Sequence, residues 1–298
     1  MIHLAPARPA GGWRALLALG RVAHLPTVCS NCLAAWVLAG GGPPERFVLL
    51  NLGAVLLYAS GLYLNDAFDA ESDRQRRRSR PIPSGQISLE RVWQWGWALM
   101  AAGVGVFLFI GTASLIVALL LAGMVVLYNA LHRWTGLADL FLGACRLLLY
   151  LLAATAATSV TGLALWSGLA LGAYVVGLGH LARKERLPGP VPWWPLLTLA
   201  APVLLAFLAN GPAGDAEHAG YRERAFYLSL LLAIWILPGL RFAFGRTPHQ
   251  IGFTGSNLLP GLVLVDLLAT AGEPWYVVPA FGLFFGSTLV LQRFAPAA

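Results

Sequence analysis

The sequence predicts an all-α fold: a polytopic transmembrane bundle of nine to ten helices forming one integral membrane domain over residues 1–298. Two observations lead there. Hydrophobic residues make up 58% of the chain and charged residues only 11%, with a mean hydropathy of +0.70, whereas soluble domains carry about 25% charged residues. Apolar runs of roughly 17–25 residues, long enough to cross a bilayer, recur ten times, centred near residues 33, 56, 101, 122, 147, 172, 200, 234, 263 and 283.

Residues 1–12 do not read as a signal peptide. The apolar run after Arg14 lasts about six residues before Arg21 interrupts it, and no small-residue cleavage site follows. An uncleaved amphipathic lead-in is expected instead. The first run carries Cys29 and Cys32; a redox or zinc role would need an accessible thiolate and further ligands, so these and Cys145 read as packing residues. The second run ends in acid and the fourth in Tyr128-Asn129-Ala130-Leu131-His132-Arg133. Gly255, Pro260, Gly272 and Pro274 interrupt the ninth and tenth runs, which form either an irregular pair or one span with a reentrant piece. Trp13, Trp36, Trp93, Trp97, Trp166, Trp193, Trp194 and Trp275 mostly fall near run ends and read as interfacial anchors.

With the amino terminus inside, ten spans put sixteen of the twenty Lys and Arg in inner connections, leaving Arg46, Arg222 and Arg224 outside and Arg146 within a span. Basic residues stay on the cytoplasmic side. Both termini and the acidic end of the second run are therefore expected in the cytoplasm, as for a bacterial inner-membrane protein. The net charge of +7 is scattered over several inner loops with no aromatic platform, so it reads as topology and anionic-lipid contact and argues against nucleic acid as a partner.

The densest chemistry lies in a cytoplasmic motif loop, residues 66–91, and at its junction with the second run, Asn65-Asp66-Ala67-Phe68-Asp69-Ala70-Glu71-Ser72-Asp73. On a helix, Asn65, Asp66, Asp69 and Asp73 fall within about one 100° sector, while Glu71 points nearly the opposite way. Hard cations such as Mg²⁺ take oxygen ligands and are commonly shared between carboxylates and substrate phosphates. This face is therefore a candidate site for a metal and a diphosphate. Arg74, Arg76, Arg77, Arg78 and Arg80 follow, then Pro81-Ile82-Pro83-Ser84-Gly85. Arginine forks match phosphate oxygens and the prolines stiffen the turn, although a basic inner loop also meets the demand of topology alone.

These residues resemble the UbiA superfamily of intramembrane aromatic prenyltransferases. Asn65 to Asp73 fit its N-D-x-x-D-x-x-x-D motif and Arg80 to Gly85 its R-P-x-P-S-G segment. Tyr128 to Thr135 resemble its Y-x-x-x-K-R-x-T element, with His132 where lysine is usual, and Arg21 with His24 to Thr27 resembles the start of its first helix. The resemblance implies a bundle around a central cavity that binds a polyprenyl diphosphate through Mg²⁺, ionises it and passes the allylic cation to an acceptor. It implies Asp66, Asp69 and Asp73 as catalytic metal ligands with Asn65 beside them. Arg77, Arg78, Tyr128 and Arg133 would contact substrate.

One segment departs from the pattern. Where the family carries a second aspartate-rich motif, this chain reads from Tyr174 to Arg186 with one carboxylate, Glu185. Either Glu185 with His180 completes a reduced metal site, or Arg183 and Lys184 neutralise the diphosphate directly, or ionisation has been lost and the fold only binds lipid. Arg146 and Asp266 lie within runs, where ionisable residues face a bundle interior or water. Arg146 is expected near diphosphate or acceptor, because Asp139, seven residues back, is about 10 Å away along a helix. Asp266 is expected to be structural, about two turns from the outer end and within reach of water. Asn31 and Asn129 read equally as interhelical hydrogen-bonding groups or cavity lining. Phe68 points off the acidic face, and Tyr58 or Tyr63 is a candidate for stabilising a carbocation.

The expected function is Mg²⁺-dependent transfer of a polyprenyl group from its diphosphate to a small aromatic or apolar acceptor at the bilayer. The rival from another class is a non-catalytic prenyl-lipid carrier or scaffold that keeps the diphosphate-binding face. No inverted repeat is visible and the carboxylates sit at an interface, which disfavours a secondary transporter.

Overall fold

The computed structural model describes residues 22–185, 190–209, 216–244 and 253–294. Within them the ten runs become ten helical spans. They are α1 (Leu25–Leu38), α2 (Pro44–Arg76), α3 (Leu89–Val106), α4 (Thr112–Leu131), α5 (Ala138–Ala157), α6 (Gly162–Lys184), α7 (Trp194–Ala209), α8 (Ala216–Phe244), the ninth run as two short helices α9 (Phe253–Leu258) and α10 (Gly261–Ala269), and α11 (Val278–Phe294). The lead-in with Trp13 and Arg21, Arg186, the loop from Asn210 to Asp215, and Arg246 lie outside the described residues.

Hydrocarbon offers no partner for backbone N–H and C=O groups, so a spanning chain closes its hydrogen bonds within helices. Seven of the helices are long and apolar enough to cross a membrane unaided; α1, α7 and the α9–α10 pair are shorter. Leu108, Phe109, Leu208 and Leu283 stand outward on the surface that lipid would cover. In the middle runs α1, which touches α2, α5, α6, α10 and α11. Cys32 is buried in that core. Trp36, expected as an interfacial anchor, is only 7% exposed and packs on Phe47 with ring centroids 5.3 Å apart.

The second run does not stop at its acidic end. α2 continues through Arg76, so the first part of the expected motif loop is helix and only about a dozen residues of turns lead to α3. Its 33 residues rise about 50 Å, well beyond the roughly 30 Å of a bilayer core, which carries Asp66 to Asp73 past the apolar section on a rigid rod.

The ninth span breaks at Leu259–Pro260, where proline removes a donor and forbids a regular helix. The freed carbonyls are met by side chains from three other helices. Tyr174 Oη donates to Leu258 O at 3.0 Å, Trp235 Nε1 to Asn257 O at 2.9 Å and Gln292 Nε2 to Ser256 O at 3.1 Å. Just beyond the break, Asp266 is fully buried rather than within reach of water. Ser30 Oγ, Asn31 Nδ2 and Tyr150 Oη donate to its two oxygens at 2.5, 2.6 and 2.5 Å, and these neutral donors let a carboxylate sit inside the bundle.

Glycine decides how closely α5 and α6 cross. A Cβ on Gly143 would lie 2.7 Å from the carbonyl oxygen of Gly172, so no side chain fits without parting the helices. Gly123 on α4 faces open space. We expect Gly143→Ala to cost about 1–3 kcal/mol by overpacking and to lower the thermal unfolding midpoint in detergent, whereas Gly123→Ala leaves the midpoint unchanged or raises it.

Candidate active site

The turns after α2 fold back on it. Ile82 and Ile87 are buried against Tyr63, Ala67, Ala70 and Val92, and Gly85, at φ +76°, takes the left-handed conformation the tight turn needs. This anchoring delivers Arg80 onto the acidic face. Its Nη1 lies 3.0 Å from Asp66 Oδ1 and 2.6 Å from Asp73 Oδ2, a single cation bridging two buried carboxylates two helical turns apart.

The aspartate between them is met from the other side. Asp69 Oδ1 lies 3.1 Å from His132 Nε2 and 2.8 Å from Arg133 Nε, both from the α4–α5 connection, and Arg133 Nη2 donates to the Asp69 backbone carbonyl at 3.3 Å. His132 lies just past the end of α4, and the Asp69 carboxylate holds its pKa above the ordinary histidine value. Its ring stacks on Tyr128 at 5.2 Å. One turn inward, Asn65 Nδ2 donates to Asn129 Oδ1 at 3.1 Å and Asn129 Nδ2 to Gly61 O at 3.1 Å. Asn129 therefore both bonds α2 to α4 and lines the space beside them.

That space is a cavity of about 290 Å³ inside the bundle. Most of its wall is aliphatic, from Ala54, Leu57, Leu121, Leu149 and their neighbours. Polar groups lie in two places: Asn65, Tyr128 and Asn129 next to the aspartates, and His24, Tyr58 and Arg146 elsewhere. Of the two tyrosines singled out from sequence, Tyr58 lines the cavity while Tyr63 belongs to the cluster under the motif turn. Phe68 packs edge-on against Trp93 at 4.8 Å, away from the cavity. Cys145 is part of the wall and all three cysteines are free.

The variant second segment forms its own cluster. Arg183 is bonded to Asp139 Oδ2, and His180 Nδ1 stands 3.6 Å from the same oxygen while its ring packs on Trp194 at 4.5 Å. Glu185 Oε1 accepts from the backbone N–H of Thr254, at the start of α9, at 2.7 Å. The structure thus turns Glu185 toward the broken span and His180 toward Asp139. Among the described residues, no three of His, Cys, Asp and Glu converge as a preformed metal site.

Of the residues singled out from sequence, Asn65, Asp66, Asp69, Asp73, Tyr128 and Arg133 lie together at one end of the bundle. Arg77 closes the end of α2, its backbone N–H donating to Asp73 O at 2.8 Å, while Arg78 is exposed and Lys184 half-buried. Three partners were not singled out from sequence: Arg80 as the bridge, His132 as the ligand of Asp69, and Asp139 as the acceptor for Arg183. The Arg-Pro step before a stiff turn was the available signal for the first. Because removing one partner of a buried pair leaves uncompensated charge, Arg80→Met should cost about 3 kcal/mol and lower the thermal midpoint measured without Mg²⁺ or diphosphate.

The UbiA prenyltransferase family model matches residues 25–188. Among curated proteins, the 4-hydroxybenzoate octaprenyltransferase of Idiomarina loihiensis is 33% identical over 110 residues, 36% of this chain and 39% of that protein. The digeranylgeranylglyceryl phosphate synthase of Methanopyrus kandleri is 32% identical over 116 residues, 39% of this chain and 43% of that protein. These alignments span about two-fifths of the relatives' length. A solved UbiA homologue from Archaeoglobus fulgidus, bound to GPP and Mg²⁺, superposes with a TM-score of 0.61 at 16% identity, covering 94% of this chain and 99% of that one, a likeness of fold. With more than half its length inside the family model and the aspartate rod and Arg-Pro turn in place, the chain belongs to the UbiA prenyltransferase family.

Proposed function

We propose that this protein transfers a prenyl group from a prenyl diphosphate to a small acceptor in the plane of the membrane, with Mg²⁺ as cofactor. The observation that carries the reading is the juxtaposition of three α2 carboxylates and their cationic partners with the polar edge of a largely apolar cavity. The relatives' names and the GPP-bound neighbour point the same way.

The donor chemistry fits a hard divalent cation: three carboxylates and an amide on one helical sector, all oxygen ligands. Asp69 Oδ1 lies beside Arg133 and His132 without a well-aligned hydrogen bond, so its lone pairs are not saturated. Asp66, Asp69 and Asp73 would hold Mg²⁺, with Asn65 beside them. When bound, the metal would draw charge from the diphosphate oxygens and so ease cleavage of the allylic C–O bond. Arg80 and Arg133 are already placed over the acidic face and would turn to the diphosphate oxygens as metal takes the carboxylates. The C–O bond breaks with its electron pair leaving on the diphosphate; the acceptor forms the new bond to the prenyl carbon and releases a proton. Aliphatic walls keep water from the allylic cation, and the Tyr58 ring face is available to stabilise it. Arg183, bonded to Asp139, and Lys184 stand where a second acidic motif would be and would supply positive charge to the diphosphate there. The basic inner connections support a site that faces the cytoplasm.

Diphosphate release from geranyl or longer prenyl diphosphates should require Mg²⁺, stop on chelation, and fall on the order of 10²–10³-fold in Asp66→Asn or Asp69→Asn. Prenyl diphosphate that binds with metal but never gives up its diphosphate group, with any acceptor, would establish the carrier reading, which the replacement of acid by Arg183 in the second segment favours.

A further inference from the structure

Arg146 is used by none of the chemistry above, although it is 9% exposed in the middle of a spanning helix and borders the cavity. Among the described residues no carboxylate pairs with it. Two of its five N–H donors are engaged, both by neutral oxygens: Nη1 donates to Asn31 Oδ1 at 2.5 Å and Nη2 to Thr27 Oγ1 at 3.1 Å. Asp266, the nearest acid in the network, is one amide further on and is already served by Ser30, Asn31 and Tyr150. The guanidinium is therefore held in place from behind, and it stands 5.5 Å from the Tyr58 ring centroid.

A cation with unmet donors is a poor wall for hydrocarbon, because a prenyl tail laid against it would strip its hydration and return no hydrogen bond. An anion would meet both the charge and the fork geometry. Tyr58 and Asn65 lie on one stripe of α2, seven residues and about 10 Å apart, so the cavity has one polar pole at Arg146 and another beside the aspartates. We propose that Arg146 determines acceptor specificity: the acceptor carries an anionic group, a carboxylate or a phosphate, seated on Arg146, with its nucleophilic end directed toward Asn65 and the reacting prenyl carbon. Asn31 and, through it, Asp266 are positioning residues for that guanidinium.

The inference rests on the prenyl-transfer reading but is tested by binding alone. Calorimetric titration of the full-length protein in detergent, with geranyl diphosphate and Mg²⁺ present, compares 4-hydroxybenzoate with its methyl ester and phenyl phosphate with phenol. The wild type is expected to favour at least one anion over its neutral counterpart on the order of 10–100-fold; which pair shows it separates carboxylate from phosphate recognition. In Arg146→Met the preference should vanish, and in Arg146→Lys, which keeps charge without the fork, it should fall but persist. No anion preference in the wild type, or an undiminished one in Arg146→Met, overturns the proposal. So does loss of geranyl diphosphate affinity in both variants, which would assign Arg146 to the diphosphate. Should Arg146→Met bind nothing at all, the lysine variant decides, and absence of a residual preference there also overturns it. Anion preference without diphosphate release would leave an anion site in a carrier, whereas release without anion preference removes this inference alone.

Discussion

Charge taken out of water, within the bilayer or under a folded turn beyond it, has to be met by protein, and most of this molecule's organisation follows from how that is done. Each described buried ionisable group that carries chemistry is answered from another helix or loop: Asp66 and Asp73 by Arg80, Asp69 by His132 and Arg133, Asp139 by Arg183, and Asp266 by hydroxyls and an amide. These contacts tie α2 to its following turn, α2 to α4, α5 to α6, and α1 and α5 to the broken ninth span. The charged groups thus serve as the fasteners of a bundle whose apolar surfaces lipid would satisfy almost as well.

The fastening is uneven, and the proposed chemistry falls where it is most exchangeable. At the end of α2 every carboxylate faces a basic group that has other uses: a guanidinium bridging Asp66 and Asp73 is also a phosphate ligand, and an imidazole beside Asp69 can carry a proton. A divalent metal and a diphosphate bring the same charges in the same places, so substrate would replace internal pairs by external ones with little change in net charge. Around Asp266 the donors are neutral and fully enclosed, which suits a fixed support. α2 carries both layers of the cavity on one rod, with Tyr58 beside Arg146 and Asn65 beside the aspartates.

Several features were legible before any coordinates. Hydropathy marked ten runs because a span must be long and apolar, and the acidic sector on α2 was readable because helical angle follows from residue number alone. The absence of an Arg146–Asp139 pair followed from the same arithmetic. Other features were hidden for a physical reason. Arg80 is one of five arginines between residues 74 and 80, and only the burial of Ile82 and Ile87 selects it as the one that reaches back. Asp139 and Arg183 are 44 residues apart and become neighbours only because Gly143 and Gly172 let α5 and α6 cross closely. Asp266 looked open to water because its depth along its own segment said nothing of Tyr150 and Ser30 covering it.

By itself, then, the sequence determined that this chain lives in a membrane as helices, that one helix ends in a sector of oxygen ligands, and that an Arg-Pro turn follows. These are properties of composition and of a fixed 3.6-residue period, and they survive without knowledge of neighbours. Only the tertiary structure decided which cation each carboxylate holds, that Glu185 turns to the ninth span, and that Arg146 stands at a cavity wall with no acid paired to it among the described residues. Pairing and burial are relations between segments distant in sequence, set by how closely the helices approach and by which side chains the crossings leave room for.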